Sequence, residues 1–195
     1  MLANQDEIRC GWAIGVPTPY VEYHDHEWGV VIRDDQGLYE RVCLEGFQAG
    51  LSWWTILSRR DAFRELFANF DPSLVATYSE IQIELLLKDP RIIRHEGKIR
   101  AAIGNAKASL ELGRGGLTDL IWSHQPAVAV RPTTGAQVPS QTPESVSLAK
   151  ALKKSGFGFI GPTTAYALMQ ACGLVNDHVV GCAAGDRLGR SVPWG

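Results

Sequence analysis

Residues 156–182, GFGFIGPTTAYALMQACGLVNDHVVGC, constrain this chain more than any other stretch, because they set a glycine-rich turn, a helix start and a His/Cys pair in one run. Gly156, Gly158 and Gly161 free the backbone of the turn, and Phe157, Phe159 and Ile160 anchor it with apolar side chains. Pro162 then opens a helix, since a first helical position needs no N–H and the proline φ is already helical. A turn that aims N–H groups outward at a helix N-terminus predicts an anion site for one phosphate, here at Gly158, Gly161 and Thr163. Lys150, Lys153 and Lys154 lead into the turn and add positive charge beside it. His178 and Cys182 stand four apart, so a helix there would present both on one face, and both are good zinc ligands.

The other end of the chain offers partners for that pair. RCGWAIGVPTPYVEYHDHEWGV, from Arg9 to Val30, is dense in glycine, proline and aromatic residues, which predicts an irregular, packed segment that something must tie down. Cys10 and His24, together with His178 and Cys182, would form a two-Cys, two-His tetrahedral site clipping the two ends together, with His26 an alternative ligand by spacing. Four cysteines, at 10, 43, 172 and 182, are too few for a disulfide scaffold.

Between these ends the pattern is helical. Asp34 or Asp35 caps a helix running to about Gly46–Gly50, with Leu38, Val42 and Phe47 on its apolar face. A helix by default places Glu45 in water. The glycines and Ala49 around it, followed by Trp53 and Trp54, instead suit a pocket for a flat, amino-bearing or cationic ring. RRDAFRELFANF, residues 59–70, predicts a second helix with Phe63, Leu66, Phe67 and Phe70 inward. A third follows, Ser79 and Gln82 forming a capping box, and a longer one spans about His95 to Leu112 and stops at Gly113. Residues 117–124 give a short helix, 124–145 a surface loop, and Thr142 with Pro143 starts a helix ended by Gly156. No stretch alternates with a strand period, and no repeat, Rossmann or Walker motif occurs, so the fold class is all-α.

The length, 195 residues, supports a real core. The net charge of −2 hides an asymmetry: residues 1–89 hold 7 basic and 15 acidic side chains, net −8, and residues 90–195 hold 12 and 6, net +6. The C-terminal half can therefore show phosphates a basic face. No apolar run reaches membrane-span length, and the N-terminus lacks a signal peptide's hydrophobic region, so a cytoplasmic protein with no membrane partner is expected.

RCGW at 9–12, YHDHEWG at 23–29, CLEGFQAGLSW at 43–53, IIRHEGKIRAAIGNA at 92–106 and ALKKSGFGFIGPTTAYALMQACGLVNDHVVGC at 151–182 resemble, in order and across nearly the whole chain, the 3-methyladenine DNA glycosylase I family of helix-hairpin-helix glycosylases. The resemblance implies one glycosylase unit over residues 1–195. One lobe would hold the zinc-tethered termini and the hairpin, the other the central helices, with a base pocket between them. It implies structural Zn2+ on Cys10, His24, His178 and Cys182. The base pocket would use Glu45, which also does the chemical work of recognition, with Tyr20, Tyr23, Trp53 and Trp12. DNA phosphates would meet Gly158, Gly161, Thr163, Lys153 and Lys154. The implied activity is monofunctional excision of 3-methyladenine from alkylated double-stranded DNA by a monomer, and the alternative is a non-catalytic zinc-containing helix-hairpin-helix DNA-binding protein. Asp177 is the nearest aspartate beyond the hairpin, and the family is understood to lack the catalytic aspartate of its superfamily. Arg187 and Arg190 offer a basic contact in the tail.

Overall fold

The computed structural model of the protein describes residues 8–128 and 130–191, the last three by backbone alone. Among them are eleven α-helices, short 3-10 turns and no strand. The chain runs through α1 (Thr18–His26), α2 (Asp35–Gln48), α3 (Trp53–Leu57), α4 (Arg60–Leu66), α5 (Pro72–Val75) and α6 (Glu80–Lys88), and then through α7 (Glu96–Glu111), α8 (Gly116–Trp122), α9 (Pro143–Lys154), α10 (Pro162–Ala171) and α11 (Ala183–Ser191). No described helix is long and apolar enough to cross a membrane.

The core forms around α2. Asp34 caps it by accepting from the Gly37 N–H at 2.7 Å. Asp35, in its first turn, reaches across to accept from the Gly115 and Thr118 N–H groups at 2.7 and 2.9 Å, so one residue also fixes the start of α8. Leu38, Tyr39, Val42 and Phe47 turn inward among Phe63, Phe67, Phe70, Ile99 and Leu148. Burying side chains of this size is worth about 1.5–3 kcal/mol each. Tyr39 keeps its hydroxyl satisfied by donating to the Ala102 carbonyl of α7 at 2.9 Å.

Most expected helices form with their expected caps, including the Ser79–Gln82 box and His95 at the start of α7. Two expectations are corrected. The helix predicted over 59–70 stops at Leu66, because Ala68, Asn69 and Phe70 have φ of 50, 52 and 55° and cannot continue it. Burial of Phe70, stacked on Phe67, and a hydrogen bond from Gln36 Nε2 to the Asn69 carbonyl hold this left-handed turn. The segment expected to be irregular contains α1: its prolines fall at the N-cap and first turn, where they cost no hydrogen bond.

α9 and α10 pack as an antiparallel pair joined by the 155–161 turn. α9 ends with Phe157 N–H bonded to Leu152 O, Gly156 N–H to Lys153 O and Gly156 at φ 92°, a Schellman cap. Pro162 occupies the first turn of α10 behind Gly161. The turn seats on α2 at Gly46, where an added Cβ would lie 3.4 Å from the Phe159 carbonyl oxygen. This contact brings α10 alongside the part of α2 that carries Glu45.

Candidate active site and metal centre

Cys10, His24, His178 and Cys182 converge. All four are buried, and one donor atom from each lies within 4.8 Å of all the others. Cys182 Sγ is 3.3 Å from His178 Nδ1 and 3.6 Å from His24 Nε2, and Cys10 Sγ is 3.6 Å from His178 Nδ1. The route differs from the expected one. His178 and Cys182 are not on a helix but in the irregular stretch after α10, where a turn closed by Cys182 N–H to Val179 O folds the pair together. His26, the alternative ligand, is exposed and pairs with Glu22 at 3.5 Å.

The remaining ring nitrogens are also committed. His24 Nδ1 lies 2.7 Å from Asp25 Oδ1, and His178 Nε2 lies 3.0 Å from the Trp28 carbonyl. Such outer bonds orient histidine ligands toward a metal. Burial would raise the Asp25 carboxyl, but the Arg9 fork, at 2.8–3.0 Å, and His24 hold it below the usual range. The two thiols oppose each other: hydrogen bonding between them pushes Cys10 up and draws Cys182 down. Gly185 lets α11 close over the cluster, since a Cβ there would stand 2.4 Å from His178 Cβ. Two thiol and two imidazole donors at these separations fit a four-coordinate ion with no open position.

Beside the cluster lies a cleft with a cavity of about 150 Å3, lined by Trp12, Tyr20, Tyr23, Trp28, Glu45, Gln48, Trp53, Ala167 and Gln170. One water needs only about 10–15 Å3, so the space suits a larger guest. α1 contributes Tyr20 and Tyr23, the end of α2 contributes Glu45 and Gln48, α3 contributes Trp53, and α10 contributes Ala167 and Gln170. The aromatic walls brace one another. Tyr20 stacks on Trp54 at 6.0 Å, and Tyr23 lies tilted on Trp53 at 5.1 Å. Trp12 stands edge-on to both His24 and Trp28, and Trp28 edge-on to His178, so one side of the cleft leans on the Cys/His cluster.

Glu45 is the one carboxyl among the described residues that line the cleft. It is 4 % exposed, and burial pushes its carboxyl up to about 8, with Arg41 one turn earlier pulling the other way. Arg41 is itself buried, over the Tyr23 ring, and bonded at 3.1 Å to Glu27, which also takes two bonds from Arg60. Burial likewise raises the Tyr23 hydroxyl. Trp53 Nε1 is a buried donor with no partner among the described residues. A carboxyl in an aromatic slot leaves a hydrogen bond for a flat, polar-edged ligand to complete.

At the 155–161 turn the expected donors are only partly available. The Gly158 N–H is taken by Asn105 Oδ1 at 2.7 Å, so Gly158 offers no N–H to a phosphate, because α7 uses it to hold the turn. The first-turn N–H groups at Thr163 and Thr164 precede the first intrahelical bond, from Ala165 N–H to Gly161 O. Thr163, Lys153 and Lys154 are exposed on this side. Arg187 donates to the Asp25 carbonyl at 3.2 Å, and the Arg190 side chain lies outside the described residues. Trp28, Gln48, Ala167 and Gln170 in the cleft, and Asp25 behind the cluster, were not expected from sequence. Only the adjacency of Asp25 to His24 was a signal.

An all-helical fold that sets a buried carboxyl in an aromatic cleft, beside a helix–turn–helix with a basic approach, defines a protein that accepts a planar heterocycle. The family model described as methyladenine glycosylase matches residues 12–185, and the chain belongs to that family. It is 52% identical over 179 residues to DNA-3-methyladenine glycosylase 1 of Escherichia coli (strain K12), covering 89% of this chain and 95% of that protein. A crystal structure of 3-methyladenine DNA glycosylase I superposes with a TM-score of 0.86 at 46% identity, over 90% of this chain and 98% of the other. A structure of 3-methyladenine DNA glycosylase I from Staphylococcus aureus, concerned with 3-methyladenine recognition, superposes with a TM-score of 0.84 at 30% identity, over 91% and 96%.

Proposed function

We propose that this protein is a DNA-3-methyladenine glycosylase of base-excision repair, and that the cleft around Glu45 is where the damaged base is received. The observation that carries the reading is the buried Glu45 carboxyl in the wall of an aromatic cleft. The family match, and relatives named for this activity, support it.

Alkylation at N3 places positive charge on adenine and weakens its bond to the sugar, so little acid catalysis is needed. The base leaves the duplex at a cost of a few kcal/mol and enters between aromatic faces. Tyr20, Tyr23, Trp53 and Trp12 supply those faces. Glu45 accepts from the exocyclic amino group. Burial favours the protonated carboxyl at neutral pH, and a cationic base restores the ionised form, because opposite charge favours the carboxylate. Normal adenine brings no such charge and keeps a stronger glycosidic bond. Water completes the hydrolysis.

DNA is held on the hairpin side. Gly161, Thr163 and the N-terminus of α10 receive a phosphate, with Lys153 and Lys154 alongside, in the manner of a helix-hairpin-helix. Structural Zn2+ on Cys10, His24, His178 and Cys182 clips the two chain ends together, and its chemistry when bound is cross-linking alone. The protein works as one unit, the clipped ends and hairpin forming one lobe, the central helices the other, with the cleft between them. No lysine follows Lys154, so neither the hairpin nor anything after it offers a Schiff-base nucleophile, and the strand stays uncut.

The test is release of free base from alkylated duplex DNA by purified protein without added cofactor. Release of 3-methyladenine with no borohydride-trapped protein–DNA adduct is expected. Binding to the DNA with no base released would replace this reading with a non-catalytic DNA-binding protein.

A further inference from the structure

Gln170, in the cleft, and Asp177, beside it, are polar groups that the reading above does not use. Gln170, on α10, lines the Glu45 cleft and also the neighbouring cavity, which shares Trp12 and Trp28 with the cleft. Asp177 lines that neighbouring cavity and is absent from the wall of the Glu45 cleft. Asp177 Oδ2 receives Gln170 Nε2 at 2.7 Å and the Tyr166 hydroxyl at 2.7 Å. A carboxylate can only accept, so the amide nitrogen of Gln170 must face Asp177, and this fixes which end of the amide is which. With the nitrogen engaged by Asp177, the oxygen is the atom this amide has left to offer the cleft that Gln170 lines.

Resting on the glycosylase reading, we propose that Gln170 is a specificity residue, its carboxamide oxygen held toward the cleft by Asp177 to accept from the exocyclic amino group of the bound base. An amino group carries two N–H bonds. Glu45 meets one, and Gln170 is placed on another face of the same cavity for the second. Two acceptors reject a purine with a carbonyl at the same ring position, because oxygen would face oxygen. A site built to receive a donor discriminates strongly against an analogue that lacks it. Asp177 acts through Gln170 and is a positioning residue, with Tyr166 holding its carboxylate in place.

The test compares binding of two free bases, 3-methyladenine and 3-methylhypoxanthine, which differ at this ring position by amino against carbonyl. Quenching of the cleft tryptophans reports binding. Gln170→Leu removes the acceptor, and the preference for 3-methyladenine should fall about tenfold, the scale of one good hydrogen bond. Asp177→Asn lets the amide turn over, since asparagine can donate to the Gln170 oxygen. This variant should gain affinity for 3-methylhypoxanthine while losing it for 3-methyladenine. Parallel losses for both bases in both variants, or an unchanged ratio, would overturn the proposal by giving the pair a structural role only. If Gln170→Leu does not fold, the Asp177→Asn ratio decides alone. Failure of the wild-type protein to bind or release 3-methyladenine would be a different result, directed at the glycosylase reading itself.

Discussion

Glu45→Gln should make the protein more stable and less able to hold its ligand, and the stabilisation should depend on pH in a defined way. Burial holds the Glu45 carboxyl at about 8 against an ordinary 4.5. Each tenfold change in proton affinity is worth 1.36 kcal/mol, so fully ionising Glu45 in the fold costs about 5 kcal/mol. Because the value is raised, the folded chain binds this proton more tightly than the unfolded one. The group's contribution is therefore whole below 4.5 and lost as pH rises through about 8. Glutamine of nearly the same shape carries no such dependence. The variant should gain about 1 kcal/mol over wild type at pH 5, about 3 at pH 7 and nearly 5 at pH 9. These are upper values, since Arg41 loses a partial counter-charge in the variant. Denaturant unfolding of both proteins at the three pH values measures the difference. A gap that is flat with pH, or narrows as pH rises, would refute the reasoning. In the same variant, affinity for 3-methyladenine should drop, as expected where a buried functional group works against stability.

Lys98, from α7, donates to the Phe47 and Ala49 carbonyls at 2.9 and 2.6 Å and so caps the C-terminus of α2 below the cleft. Lys98→Met should cost about 2–3 kcal/mol, visible as a lowered melting temperature, because one buried and one part-buried carbonyl lose a charged donor. Cys182→Ser, or exposure to a strong chelator, should remove bound metal and unfold the terminal segments, read by metal analysis and circular dichroism; zinc content equal to wild type would show the ligand set to be wrong. Lys153→Gln with Lys154→Gln should weaken binding to any duplex sequence and lower the salt dependence of affinity by about two counterions, and an unchanged slope would move the DNA elsewhere.

How much of this was visible in the chain depended on how local the cause was. α2, α7 and α9 carry their own start and stop residues, α6 and α10 their start residues, and each formed where those residues set it. α1 was hidden because prolines and glycines crowd its borders, and α5 because four residues behind Asp71 show no periodicity. The four Cys and His residues were recognisable by type, yet the expected helix under His178 and Cys182 was wrong, since a turn can bring residues four apart together equally well. The Gly158 N–H looked free because its partner, Asn105, is 53 residues away. Gln48 and Gln170 were illegible for the same reason: a cleft wall assembled from α1, α2, α3 and α10 has no period in sequence.

The Cys/His cluster has a further consequence for how the chain reaches this state. It joins residues 10 and 182 and so closes almost the entire polypeptide into one loop. A closure that long costs entropy that nearby contacts do not repay, so it belongs late in folding, after the local helices and the α2 core have formed. Trp12 and Trp28 lean on the histidines of that cluster. The helical core is therefore expected to precede the finished cleft in time, with the wall against which a base would rest set by a late closure.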